Sequence, residues 1–289
     1  MILALIIQHI CKLISYLPLS WIKALARIFA FIIIHFSSRA YARVQTNLLL
    51  TNLANEDNVI KMAKRTVLEF ANTLVEILFM VWTKRYKYCV DLVDIDVATH
   101  QVLKTAISCG KRILFLTPHL GNFELSVEYL TNTYKINMHV LYKPTKIKFL
   151  NYLMEAGMKN PYIKFCSVRD KKELLATIKN FKQGQYIGML PDSIASQNNG
   201  VWVEFFDQQI FASSLAASLS LLPDTVVLIG ACVRVGARYK FLAKQVVTTS
   251  QDKTVVMQQF YRNIEEMTKQ YPEQYFWSYD RFRIPKYIK

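Results

Sequence analysis

From Asp94 onward, short apolar runs alternate with longer stretches of helical spacing, and that alternation narrows the possible folds more than any other feature of this chain. The runs Ile113 to Leu116, Met138 to Tyr142, Tyr162 to Cys166, Tyr186 to Leu190 and Thr225 to Val235 read as strands. Between them, Phe123 to Asn132, Lys146 to Met158, Lys171 to Phe181 and Phe211 to Leu222 read as helices. Strands separated by helices predict an α/β domain with a parallel or mixed sheet flanked by helices. Ligands of open α/β sheets bind beyond the carboxyl ends of the strands, so the residues just after each run are where chemistry is sought.

Those residues are chemically loaded. The first run leads into Thr117-Pro118-His119-Leu120-Gly121-Asn122-Phe123-Glu124, and later runs lead into Lys143-Pro144, Ser167-Val168-Arg169-Asp170 and Pro191-Asp192. Histidine accepts and returns a proton at neutral pH when a second group fixes its tautomer. Glu124 is the expected partner. Within one continuous helix a spacing of five residues would carry the two side chains to different faces, so His119 must precede the helix. Pro118 ends the strand, Gly121-Asn122 allows a tight turn, and Asn122 as N-cap puts Glu124 in the first helical turn, from which its carboxylate reaches back. The histidine then serves as base for a substrate hydroxyl, and no serine or cysteine of the chain is needed as nucleophile. His9, His35, His100 and His139 lack a carboxylate so placed and read as ordinary structural histidines.

Before Asp94 the character differs. Met1 to Phe36 is dominated by apolar residues, with Lys12, Lys23 and Arg27 its only Lys, Arg, Asp or Glu, and Lys23 and Arg27 interrupt Leu19 to Phe36 on one helical face. Long basic side chains reach back to the membrane surface, so a spanning and an interfacial anchor are both open. A signal peptide fits poorly, because no basic region precedes the first apolar run. We expect residues 1–38 to attach the protein to a membrane, residues 39–93 to form a helical segment packed on the core through a helix from Asp57 to Val81, and residues 94–289 to be the catalytic core.

The 36 Lys and Arg against 21 Asp and Glu give a net charge of +15, which attracts polyanions. No finger, RNP-like strand or dense basic helix supports nucleic acid, leaving anionic lipid and acidic proteins as partners. Arg39, Arg43, Lys61, Lys64 and Arg65 follow the anchor, as on the cytoplasmic side of an anionic membrane. The cysteines Cys11, Cys89, Cys109, Cys166 and Cys232 are odd in number, lack ligand spacing and read as free thiols. No cofactor and no metal site is expected.

His119-Leu120-Gly121-Asn122-Phe123-Glu124 after an apolar strand resembles the H-x-x-x-x-D/E motif of glycerolipid acyltransferases, and in particular the form carried by the lipid A late acyltransferases. The resemblance extends over nearly the whole chain, through Asn47, Glu76, Gly188 to Asp192, Val203 to Phe206 and Pro272 to Trp277. It implies transfer of a fatty acyl chain from acyl carrier protein to a hydroxyl of a Kdo-bearing lipid A precursor, within lipopolysaccharide biosynthesis, at the cytoplasmic face of the bacterial inner membrane. It also implies substrate-binding roles for Asn122, Lys143, Arg169, Asp192 and Arg234, with Arg234 facing the site or bracing Asp192. Lys143 stands where the family usually has arginine, Ser193 replaces a glutamine and Asp207 a glycine. Phe205, Phe206 and Trp202 are candidates for closing the acyl pocket. Another glycolipid or glycerophospholipid as acceptor, and a non-catalytic membrane scaffold, are the competing readings.

Overall fold

A computed structural model describes residue 17 and residues 19–83, 86–144, 160–195 and 199–284. Helices α1 (Leu19–Phe36), α2 (Ser38–Leu50), α3 (Val59–Thr83) and α4 (Tyr86–Asp91) come first. The core follows as β1 (Val93–Ile95), α5 (Val97–Ser108), β2 (Arg112–Leu116), α6 (Phe123–Tyr134), β3 (Met138–Tyr142) and β4 (Ile163–Ser167). It continues with α7 (Lys171–Lys182), β5 (Tyr186–Met189), β6 (Gly200–Phe205), β7 (Gln208–Ser213) and α8 (Leu215–Ser220). The chain then runs through β8 (Thr225–Val235), β9 (Arg238–Val246), α9 (Lys253–Gln270) and a short 3-10 turn (Pro272–Gln274). The expected helix Lys146 to Met158 lies outside the described residues.

Seven strands form one sheet in the order β1-β9-β8-β2-β5-β3-β4, with every neighbouring pair parallel except β8 and β9. The fold is therefore a mixed, mostly parallel α/β sheet flanked by helices. Apolar side chains gather into two buried clusters, one joining α1, α2, α3 and α9 to the sheet and the other joining α5 and α6 to it. Central strands buried on both faces need continuous apolar runs, which is why Ile113, Leu114, Phe115 and Leu116 are all sealed from solvent.

One expected helix is corrected. Phe211 to Ser213 belongs to β7, and only Leu215–Ser220 is helical. Phe211 pairs with Trp202 on β6, and the two-residue turn Phe206-Asp207, with both φ angles positive (51° and 58°), closes that hairpin. α9 holds it: Gln258 exchanges hydrogen bonds of 2.8 and 2.9 Å with the Glu204 backbone, and Glu265 accepts from the Phe206 N–H at 2.9 Å.

None of the described helices is by itself long and apolar enough to cross a membrane. The pair Ala24–Phe36 and Arg39–Leu50, bent by 90°, passes that test only jointly. Ala26 and Ala30 bury one face of α1 in the core, while Trp21, Ile28, Phe31, Ile32 and Phe36 are exposed on it.

Candidate active site

The carboxyl ends of β2, β5, β3 and β4 lie along one edge of the sheet, and β8, parallel to β2, runs well past them. This overhang shapes the loop after β2. Cys232 on β8 accepts the Asn122 N–H at 2.8 Å, Gln274 accepts the Gly121 N–H at 3.0 Å, and Thr73 on α3 donates to the Gly121 carbonyl at 3.1 Å. Gly121 has φ +60°, and a Cβ there would lie 2.1 Å from the Cys232 carbonyl oxygen, so only glycine fits. Asn122 caps α6, its Oδ1 accepting the Leu125 N–H at 3.0 Å, while its amide donates to Glu76 at 3.2 Å. His119 therefore precedes the helix and Glu124 sits in its first turn.

The imidazole meets a carboxylate, but not the nearer one in sequence. His119 Nδ1 lies 2.8 Å from Asp192 Oδ1, and the His119 N–H donates to Asp192 Oδ2 at 3.1 Å. Asp192 follows β5, the immediate neighbour of β2, and is fully buried, whereas the His119 side chain keeps 23% of its surface exposed. Burial alone would raise the Asp192 pKa; the charges of His119 and Arg281 and the hydrogen bonds from His119 outweigh it and hold the carboxyl well below the usual carboxylate range. Among the described residues no hydrogen bond joins His119 to Glu124. Nδ1 has one proton or lone pair to offer, and Asp192 takes it. Glu124 is partly buried, and burial pushes its pKa up to about 7. Four residues on, buried Glu128 accepts from Asn132 at 2.9 Å and from Asn160. Burial pushes Glu128 up to about 8, with the Glu124 charge adding to the rise and both asparagines opposing it.

The remaining expected residues divide by exposure. Lys143 after β3 and Arg169 after β4 are exposed at the same sheet edge as His119. At ~4.8 Å per strand they stand roughly 10 and 14 Å from the His119 strand. Arg234 is instead buried and occupied. It donates to Glu76 at 2.9 and 2.8 Å, to Thr73 at 3.0 Å and to Glu69. It braces the loop's supports rather than Asp192. Phe205 and Phe206 are buried against Tyr261, Tyr275 and Trp277, while Trp202 packs on Phe211 and stays 39% exposed. An apolar cavity of about 200 Å³ lies elsewhere, lined by Ile33, Val44, Val67, Phe70, Phe276 and Trp277, among others. The Phe276 ring lines it and lies 5.8 Å from the His119 ring.

Sequence reasoning missed Tyr275 and Arg281, both buried against Asp192 from the irregular segment after α9. Nothing periodic marks that segment. Its one signal was Pro272 to Trp277 within the family resemblance. Cys166 and Cys232 are buried in β4 and β8, Cys89 and Cys109 are also free, and Cys11 lies outside the described residues. No group of three or more metal-ligating side chains is present among the described residues.

A histidine held by a buried aspartate at the carboxyl end of a central strand, on a mostly parallel sheet, is the arrangement of an α/β protein equipped for general acid–base chemistry on a bound substrate. The model of the bacterial lipid A biosynthesis acyltransferase family matches residues 2–284, and the chain belongs to that family. A search of curated proteins found no match.

Proposed function

We propose that this protein moves a fatty acyl chain from acyl carrier protein to a hydroxyl of a lipid A precursor at the cytoplasmic face of the bacterial inner membrane, with His119 as general base. The observation that carries this reading is the partly exposed imidazole tied by Nδ1, at 2.8 Å, to the fully buried Asp192. With its proton on Nδ1 donated to Asp192, the ring offers the Nε2 lone pair to an incoming hydroxyl.

The step balances without a covalent enzyme intermediate. Nε2 takes the hydroxyl proton as the oxygen attacks the thioester carbonyl, forming a C–O bond. The tetrahedral centre collapses by breaking the C–S bond, and the imidazolium returns the proton to the departing sulfur. Glu124, in the first turn of the helix that His119 precedes and with a carboxyl that burial pushes up to about 7, is the second acid–base group, binding the acceptor or assisting the same proton transfer. The apolar cavity behind Phe276 suits a hydrocarbon chain. Exposed Lys143 and Arg169 suit phosphate groups or an acidic carrier. The exposed apolar face of α1 suits a lipid surface.

The test is turnover of an acyl carrier protein thioester with a Kdo-bearing lipid A precursor. His119→Ala should lower kcat by about 10³-fold or more with the fold intact, and Glu124→Gln should lower it as well. Wild-type turnover by His119→Ala would remove the base from the mechanism.

A further inference from the structure

Asp192 is gripped from more sides than the orientation of one imidazole requires. The Tyr275 hydroxyl donates to Oδ2 at 2.9 Å. One terminal nitrogen of Arg281 lies 3.3 Å from the same oxygen, and the other donates to the Asp192 backbone carbonyl. The His119 N–H takes a third place on Oδ2 at 3.1 Å. The carboxylate is thereby fixed in rotation, with Oδ1 left to the imidazole. Tyr275 and Arg281 are each only 1% exposed, so these contacts are not diluted by water.

A buried carboxylate beside an imidazole favours the imidazolium, which cannot take a proton from a hydroxyl. Donors on Oδ2 draw charge away from Oδ1, and the Arg281 cation offsets what remains. The arginine is poorly explained as a stabilising device. Its Nε has no hydrogen-bond partner among the described residues, and the terminal nitrogen 3.3 Å from Oδ2 makes an ion pair there without hydrogen-bond geometry; a buried guanidinium left partly unsatisfied costs stability. It is sandwiched instead between the Tyr275 and Tyr279 rings, 4.8 and 5.2 Å from their centres. Besides His119, the titratable groups facing Asp192 are Tyr275 and Arg281 from the C-terminal segment and Tyr261 from α9, with Tyr279 beyond Arg281.

We propose that Tyr275 and Arg281 are positioning residues of the acyl transfer: they hold Asp192 so that Oδ1 is the oxygen that meets the His119 imidazole, and they damp its pull on the imidazole proton, which makes the segment after α9 part of the active site. The inference rests on His119 being the base.

The full chain is assayed with an acyl carrier protein thioester and a lipid A precursor across a pH series. Tyr275→Phe removes one hydrogen bond and no volume. It should lower kcat about 10-fold or more, leave KM within about twofold, and move the acid limb of kcat/KM upward by about half a unit or more. Arg281→Lys, which keeps a cation, should retain more turnover than Arg281→Gln. A Tyr275→Phe enzyme with wild-type kcat and pH profile would overturn the proposal. So would one whose KM alone rises, since that marks a substrate contact. If Tyr275→Phe does not fold, a fluorotyrosine at 275, with its more acidic phenol, should move the acid limb downward, and an unmoved limb is again a refutation. His119→Ala in the same assay separates two failures: if it stays active the base assignment falls, whereas if it is dead and Tyr275→Phe is normal only the positioning role falls.

Discussion

Arg234 on β8 meets Glu76 on α3 through two side-chain hydrogen bonds of 2.9 and 2.8 Å, and the same Glu76 carboxylate accepts the Asn122 amide at 3.2 Å. The ion pair therefore reaches the loop that carries His119 through one intervening side chain. Burial opposes the charge on Arg234, but Glu76 and Glu69 overcome it and raise its pKa above the ordinary arginine value. Replacing the arginine with an apolar residue strands two carboxylates, one of them almost fully buried. Arg234→Met should cost about 3–5 kcal/mol in denaturant unfolding, and the double variant Arg234→Met/Glu76→Leu should recover part of it. If Arg234 gripped substrate instead, the loss would show in KM with unfolding unchanged.

Gly121 meets a harder constraint than flexibility. A methyl group there would overlap the Cys232 carbonyl, the same atom that receives the Asn122 N–H, and the positive φ disfavours any side chain. Gly121→Ala should destabilise the protein by on the order of 4 kcal/mol or more, or push β8 away from the loop and cut turnover. Thermal melts and kcat on the same preparation check this, and normal values of both would show that the loop can move aside.

Much of the fold could be read from the chain because strands buried on both faces must be mostly apolar, as β2, β3 and β8 are. β6, β7 and β9 escaped because they alternate or carry polar residues: Arg238-Tyr239-Lys240-Phe241 shows a half-exposed antiparallel strand only once its partner β8 is known. The position of His119 ahead of the helix was legible through Gly121 and Asn122. Its carboxylate partner was not, because sequence proximity favoured Glu124, five residues away, while the sheet order brings Asp192 beside it from 73 residues on. Arg234 read as a site residue only through the family resemblance. Which way a buried arginine turns depends on carboxylates donated by a distant helix, and spacing cannot supply that.

Glu124 and Glu128 give the protein a pH dependence of definite sign. Their folded pKa values, about 7 and about 8, lie above the ~4.3 of an unfolded glutamate, so the stability they contribute is fully present below that value and is lost as pH rises through 7 and 8. Glu128→Gln keeps an oxygen for Asn132 and Asn160 but cannot ionise. Melting curves should nearly coincide with wild type near pH 4, separate progressively as pH rises from there to about 8, with the variant the more stable, and keep a constant gap above that. A difference that stays constant over the whole series would show that Glu128 does not titrate there. Asp192 works in the opposite sense. Its folded pKa is depressed, so its contribution is present above about pH 4 and lost as pH falls further.

The outward face of α1 leads to the last expectation. Trp21, Ile28, Phe31, Ile32 and Phe36 are 45–80% exposed, while Ala26 and Ala30 are in the core, so the helix presents large apolar side chains outward as well, alongside exposed Arg27 and His35. A helix of a water-surrounded protein would carry polar residues on its outer side, and at about 25 cal/mol per Å² an aromatic cluster of this kind gains several kcal/mol on entering lipid. Basic Arg39 and Arg43 on α2 adjoin it, so anionic headgroups should strengthen the attachment. Vesicles of phosphatidylethanolamine and phosphatidylglycerol should therefore bind the wild-type chain, and Phe31→Asp/Phe36→Asp should weaken binding at least about 100-fold while sparing the melting temperature. Raised salt should weaken it further where the basic residues contribute. If the doubly substituted protein sediments with vesicles as well as the wild type does, the exposed face of α1 is not what holds the enzyme to lipid.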